Sequence, residues 1–313
     1  MGKRATREAL GEELLQLGGE RKEIYVIDCD VSKSCKTQAF AAKYPMQHIN
    51  VGISEQNAVG MAAGLATTGK IPFVVTYAVF GSMRAVEQIR QEVCYPKLNV
   101  KILCSHGGLT PANDGASHQC IEDMGILRTL PGMTVIMPAD YPSARKLIRE
   151  AAGYEGAVYL RFTRDPVEEI YSEDEDFEIG RAKCIYEGEA VSIFANGDTV
   201  AIAKKAAEAL RQEGIDAALY DFHTIKPLDE AVVKEALEKT GRIITVEDHN
   251  IINGLGSAVC EVAAGEGKGI VKRIGVQDRF GESAPYEELL KMNGITWENI
   301  CRTAHELLNV PGE

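Results

Sequence analysis

The sequence predicts an α/β protein of two domains, the first built on a mostly parallel sheet covered by helices on both faces and the second a smaller α/β domain. Three observations predict it. Short runs rich in β-branched residues alternate with helical patterns along nearly the whole chain, which is the signature of parallel strands joined by crossover helices. The segments that follow the strands are dense in polar residues, and in open α/β sheets ligands bind beyond the strands' carboxyl ends. A length of 313 residues suits two cores rather than one, and the acidic run Ser172-Glu173-Asp174-Glu175-Asp176 reads as a solvated linker between them. The expected division is 1–170 for the first domain, 171–185 for the linker and domain entry, and 186–313 for a smaller second domain.

Taken in order, residues 5–17 form a helical pattern that the Gly18-Gly19 pair is expected to break, and Ile24-Tyr25-Val26-Ile27-Asp28 is the first strand. A polar loop covers 29–38. Ser54 is a candidate N-cap for a helix of small residues that Gly69 can stop. Ile71-Pro72-Phe73-Val74-Val75-Thr76 is a second strand, with Tyr77-Ala78-Val79-Phe80 at its exit and a polar helix over about 82–93. Strands over Val100–Cys104, Thr134–Met137 and Val158–Leu160 complete the first sheet. Beyond the linker, Val191–Ala195, Ala217–Tyr220 and Arg242–Val246 read as strands, separated by helices at about 200–213 and 229–239. Asn196-Gly197-Asp198-Thr199 reads as a capped turn into a helix.

Composition narrows the function. Lys and Arg total 34 against 46 Asp and Glu, so the net charge of −12 repels polyanions and argues against nucleic-acid binding. Local basic sites for small phosphates remain open. The eight cysteines form no close CxxC pair and are expected to be free thiols in a reducing cytoplasm. No apolar run is long enough to cross a bilayer, and the amino terminus lacks a secretory core, so no membrane role is expected.

The stretch that organises the chain is Val51-Gly52-Ile53-Ser54-Glu55-Gln56-Asn57-Ala58-Val59-Gly60-Met61-Ala62-Ala63-Gly64-Leu65-Ala66. Glu55 stands at a helix start, where an isolated carboxylate need do no more than complement the helix dipole. The succession of Ala and Gly lets another backbone approach closely, so this helix is expected to be buried, at a subunit contact. The stretch resembles the glutamate-bearing helix of the transketolase superfamily, whose enzymes use thiamin diphosphate. In that family the glutamate hydrogen-bonds a ring nitrogen of the cofactor's aminopyrimidine, and the cofactor supplies carbanion chemistry. The resemblance makes Glu55 the proton-relay carboxylate. It also makes the first domain a pyrimidine-binding domain of the thiamin-diphosphate type and the second a transketolase carboxy-terminal domain.

Further stretches carry the same resemblance. Asn113-Asp114-Gly115 alone is a turn signal. With Ser117-His118-Gln119 it resembles the transketolase motif that contacts the hydroxyls of a ketose donor, which makes Asp114 and His118 the donor pair. Asn113, Ala116 and Cys120 depart from the commoner family form. Tyr77 and Phe80 read as core aromatics by themselves. In the family, matching rings form the wall against the aminopyrimidine, with Phe80 as the stacking ring and Met83 where many members have another aromatic. Asp30 matches a cofactor-pocket acid. Arg7, Ser34, His106 and Arg164 are unremarkable one by one, yet their positions match those by which transketolases hold a sugar phosphate. His223 and His249, in second-domain stretches that also resemble the family, are assigned no catalytic role.

A complete transketolase has a preceding domain that binds the diphosphate through magnesium with a Gly-Asp-Gly motif. No Gly-Asp-Gly occurs here, so no metal ligands are expected in this chain. The resemblance thus implies the carboxy-terminal subunit of a split transketolase. It would transfer a two-carbon ketol unit between sugar phosphates with an amino-terminal partner that supplies the magnesium ligands, as a heterotetramer. Deoxyxylulose-phosphate synthase and a 2-oxo-acid dehydrogenase β subunit are alternatives within the thiamin enzymes, which pyruvate-dependent chemistry would reveal. A non-catalytic binding module is the alternative outside them.

Overall fold

The computed structural model describes residues 2–309, so the outermost residues of the 1–170 and 186–313 spans lie outside it. In chain order the first half contains β1 (Lys3–Arg4), α1 (Thr6–Glu20), β2 (Ile24–Asp28), α2 (Gln38–Lys43), β3 (His48–Asn50), α3 (Glu55–Ala66) and β4 (Ile71–Tyr77). It continues with α4 (Val86–Gln88), β5 (Lys101–Ser105), α5 (Asp123–Arg128), β6 (Met133–Ile136), α6 (Tyr141–Gly153), β7 (Ala157–Arg161) and β8 (Val167–Glu168). The second half contains β9 (Lys183–Tyr186), β10 (Val191–Ala195), α7 (Thr199–Gln212), β11 (Ala217–Asp221), β12 (Thr224–Lys226) and α8 (Glu230–Lys239). It ends with β13 (Arg242–Asn250), α9 (Leu255–Glu266), β14 (Ile270–Val276), α10 (Tyr286–Met292) and α11 (Trp297–Leu308).

The larger sheet has seven strands in the order β12-β6-β7-β5-β4-β2-β3, all parallel except β12. The smaller has five, β14-β13-β10-β11-β9, with only β9 antiparallel. Central strands are buried on both faces, which is why β4 and β5 read as nearly continuous apolar runs. Helix α6 starts at a capping box in which Asp140 accepts from the Ser143 backbone N–H at 3.0 Å and Ser143 returns the favour to the Asp140 N–H. It packs on α1, where buried Glu13 pairs with Arg145 and Arg149.

Four local expectations change. Helix α1 runs through Gly18-Gly19 to Glu20, because Gly18 provides room for Phe40 and Tyr44 rather than a break. The polar helix expected over 82–93 is a short α segment between two π-helical turns, Phe80–Arg84 and Ile89–Cys94. Ser54 occupies the N-cap position of α3, but its hydroxyl makes no capping bond. One face of α3 is buried in the chain through Glu55, Ala58, Val59, Ala62 and Ala63, while Ile53, Asn57, Met61 and Gly64 are exposed.

The two sheets do not stand apart. Strand β12, from the second half, extends the first sheet beyond β6. One buried apolar cluster contains residues of both, including Leu103 and Phe162 on one side and Ile193, Leu219 and Ile244 on the other. The acidic run at 172–176 is bracketed by buried Tyr171 and Phe177, whose rings meet edge to face with centroids 5.0 Å apart. His249 is fully buried and neutral: its Nε2 accepts from the Gly125 N–H at 3.2 Å while Nδ1 donates to the Asn250 carbonyl at 2.6 Å, and burial lowers it to about 4. His223 is likewise buried and lowered to about 4 by desolvation.

Candidate active site

Parallel strands deliver their carboxyl ends to one edge of the sheet, and the candidate residues collect there. Asp30 follows β2, Glu55 opens the helix after β3, and Tyr77 ends β4 with Phe80 three residues on. His106 follows β5, and Arg164 follows β7. The chain turns sharply at two of these exits. Asp30 and His106 have φ of 63° and 64°, a left-handed conformation that costs a non-glycine residue about 1–3 kcal/mol unless its surroundings hold it.

Glu55 is 2% exposed, yet its Oε2 lies 2.8 Å from Nη1 of Arg84. The same guanidinium sits over the Phe80 ring, 4.4 Å from its centroid. A buried carboxylate and an aromatic face are thus bridged by one cation, which the first π-helical turn carries to them. Nothing in the sequence marks Arg84 out, because its pairing with Glu55 spans 29 positions. Phe80 in turn meets His118 edge-on at 5.9 Å, and Tyr77 lies 4.1 Å from His106 and 6.3 Å from His118 between ring centroids. Tyr77, Phe80, His106 and His118 are therefore neighbours, although 41 positions separate the first from the last.

His106 is buried, with Nδ1 2.7 Å from the Ser105 hydroxyl. Desolvation, reinforced by the charges of Arg7 and Arg164 and by His118, pushes it down to about 3, so its imidazole is neutral at any ordinary pH. Burial also lowers Arg7, with Arg164 the next contributor, and Arg7 Nε is buried without a hydrogen-bond partner. Two guanidinium groups thus face a common region that contains a neutral imidazole, an arrangement that favours an anion. Arg7 Nη1 donates to the Ser34 carbonyl at 3.0 Å, so the contact of Ser34 in this site is through its backbone. Arg164 donates to the Pro111 carbonyl at 2.7 Å and lies 3.3 Å from Asp114 Oδ2. Asp114 is exposed and His118 half-buried, with Nδ1 3.0 Å from the Ser117 hydroxyl. Asp30 is the outlier: it is exposed, and its carboxylate accepts from Asn50 at 3.1 Å, toward the β3 edge of the sheet.

The family described as the pyrimidine binding domain of transketolase matches residues 2–168, and that described as the transketolase C-terminal domain matches residues 180–300. The chain belongs to the transketolase family. A Methanocaldococcus jannaschii protein named for a transketolase C-terminal section is 46% identical over 303 residues, spanning 96% of this chain and 95% of that one. The 6-deoxy-6-sulfo-D-fructose transketolase subunit of a Clostridium species is 38% identical, with 96% and 94% covered. A solved structure described as a split-gene transketolase, an inactive beta4 tetramer, matches with a TM-score of 0.90 at 45% identity over 99% of both chains. This transketolase-family chain carries a pyrimidine-binding domain followed by the carboxy-terminal domain, and it is similar over nearly its whole length to a chain of a split-gene transketolase.

The family implies dependence on thiamin diphosphate, and the residues at the sheet edge fit the flat end of that cofactor. Glu55 is a buried acceptor, and Tyr77 and Phe80 offer apolar faces close by. Among the described residues no group of three His, Cys, Asp or Glu side chains is arranged to hold a metal ion. No helix among them is long and apolar enough to cross a membrane.

Proposed function

We propose that this chain is the pyrimidine-side half of a two-chain transketolase that moves a two-carbon ketol unit from a ketose phosphate to an aldose phosphate. The observation that carries the reading is the assembly at one sheet edge of a buried carboxylate, two aromatic rings and two arginines around a neutral histidine. An amino-terminal subunit would supply the diphosphate and magnesium site, and two such pairs would form a heterotetramer. The likeness to a split-gene enzyme and to subunits of other transketolases supports this division.

Thiamin diphosphate, when bound, supplies a carbanion able to accept the ketol unit. Glu55 would hold a hydrogen bond at the pyrimidine ring nitrogen, and Arg84 must share or release it for that to happen. Tyr77 and Phe80 would cover the ring and exclude water, and Asp30 would stand at the pocket's rim. His118, half-buried and next to the aromatic pair, would exchange a proton with a donor hydroxyl, and Asp114 would accept hydrogen bonds from the sugar. Arg7 and Arg164 would pair with the terminal phosphate, while His106 adds hydrogen bonding without charge and the Ser34 carbonyl steadies Arg7. A relative named for a terminally sulfonated sugar supports an anion-seeking end to this site and leaves the particular sugar open.

The test is ketol transfer from xylulose 5-phosphate to ribose 5-phosphate by the assembled pair, comparing the wild type with Glu55→Ala. Loss of turnover with the complex still formed is expected; full activity in the variant would remove Glu55 from the mechanism. Pyruvate-dependent condensation in place of ketol transfer would move the chain to the synthase reading.

A further inference from the structure

The loop from Ser105 to Gln119 carries His106, Asp114 and His118, and residues far along the sequence grip it from beneath and from the side. At its base Gly108 and Cys120 exchange backbone hydrogen bonds of 2.7 and 2.9 Å, closing the loop. Directly below, Asp248 on β13 of the second sheet is fully buried and accepts the Leu109 N–H with both carboxyl oxygens, at 3.1 and 2.9 Å. Arg161, at the end of β7 and 1% exposed, donates to the Asp248 carbonyl at 2.5 Å and lies 3.6 Å from its carboxylate. Its other terminal nitrogen is 3.3 Å from Asp123, whose carboxylate also accepts the Tyr159 hydroxyl at 2.5 Å. The loop backbone rests on this pair so closely that a Cβ at Gly107 would collide with Arg161, and one at Gly108 with Asp248. At the loop's far end, Ser283 donates to the Asn113 carbonyl at 2.5 Å and Gln119 donates to the Glu282 carbonyl at 2.9 Å.

We infer that Asp248 is a positioning residue for donor recognition: by holding the Leu109 N–H, the second domain sets where His106, Asp114 and His118 stand. This rests on the ketol-transfer reading for the role of those three residues, and on geometry alone for the brace. The carboxyl is surrounded by Arg161, Asp123, Asp198 and Tyr286, whose hydroxyl is 3.4 Å from Asp248 Oδ2 and bonded to Asp198. Burial, Asp198 and Asp123 hold Asp248 well above the ordinary carboxylate range, against the opposing pull of Arg161 and the Leu109 N–H. A carboxyl oxygen accepts the Leu109 N–H in either protonation state, so the brace holds with the carboxyl protonated as well.

The experiment combines amide exchange with kinetics. In Asp248→Ala, exchange over 105–119 accelerates while that of 55–66 stays as in the wild type. In the pair assembled with an amino-terminal partner, kcat/KM for the donor falls by about 10²-fold, as small misplacements of binding groups produce, while thiamin diphosphate affinity and partner affinity change less than about twofold. Asp248→Asn, which keeps a carbonyl acceptor, restores most of the loss. An unchanged donor kcat/KM in an active assembly would overturn the inference, as would a parallel loss of cofactor and partner affinity, which marks a purely structural contact. If Asp248→Ala does not fold, the wild-type chain decides: the Leu109 amide must exchange as slowly as those of β5, and the rate of an open loop amide overturns the brace. A wild-type pair without ketol transfer would defeat the functional reading, while the exchange result would still say whether Asp248 holds the loop.

Discussion

Glu55 and Arg84 make the sharpest statement at the scale of single residues. Their pair joins a buried carboxylate to a guanidinium that is 46% exposed, so breaking it leaves a charge that water can still reach. Glu55→Ala is therefore predicted to fold and assemble while turnover falls by at least about 10²-fold, the scale of a lost acid–base group. Thermal melting and steady-state rates on one preparation check both halves. Arg164→Ala is predicted to raise the KM of a phosphorylated donor by roughly ten- to a hundredfold, since a hydrogen bond to a charged group contributes about 1.5–3 kcal/mol. A ketose without the phosphate serves as the control, and its KM should not move. The histidines set a stability trend. His106, His223 and His249 are held down to about 3, 4 and 4, so below pH about 6.5 the unfolded chain binds protons that the folded chain refuses. Stability contributed by these three falls as pH drops through that window. Glu247, raised to about 7 by burial, acts oppositely, because its folded form holds a proton that the unfolded form has released. Urea midpoints between pH 7 and 4.5 should therefore show a shallower acid loss in His249→Gln than in the wild type.

Elements were legible where one periodicity dominates. The strands at Ile24–Asp28 and Val191–Ala195 have the bounds their β-branched runs indicate, because buried parallel strands need little besides apolar residues. Short edge strands were not legible: His48-Ile49-Asn50 and Thr224-Ile225-Lys226 are three residues long and owe their form to the neighbour they pair with. Gly18 misleads for a different reason. Its lack of a side chain admits Phe40 and Tyr44, and propensity alone counts only the entropy. Gly18→Ala is thus predicted to destabilise by about 1–3 kcal/mol through overpacking, read from urea midpoints. Gly64, exposed on α3 with open space around it, should behave oppositely in the isolated chain, where alanine gains about 0.5–1 kcal/mol. If the exposed stripe of α3 is a subunit contact, as its small residues suggested, the same substitution weakens association, which sedimentation at falling concentration detects.

Across the whole molecule, the candidate site was legible as a set of strand-end residues but not as a geometry. Tyr77, His106 and Arg164 are unremarkable one by one and are picked out by resemblance to the family, and each stands at the end of a strand or shortly beyond it, on the ligand edge of the parallel sheet. Arg84 was hidden because its partner Glu55 lies 29 positions away. The grip of Asp248 on Leu109 was hidden by 139 positions of intervening chain, which no local pattern spans. That grip, with β12 in the first sheet and a core common to both, makes the carboxy-terminal domain a support for the site rather than an appendage.

The central claim is that this chain forms one side of a thiamin site whose other side lies on a separate subunit. The most direct test is steady-state ketol transfer from xylulose 5-phosphate to ribose 5-phosphate, with thiamin diphosphate and magnesium, by this chain alone, an amino-terminal partner alone, and the two mixed. Activity confined to the mixture is predicted. Full activity in this chain alone, or none in a mixture that forms a complex and binds the cofactor, would contradict the claim.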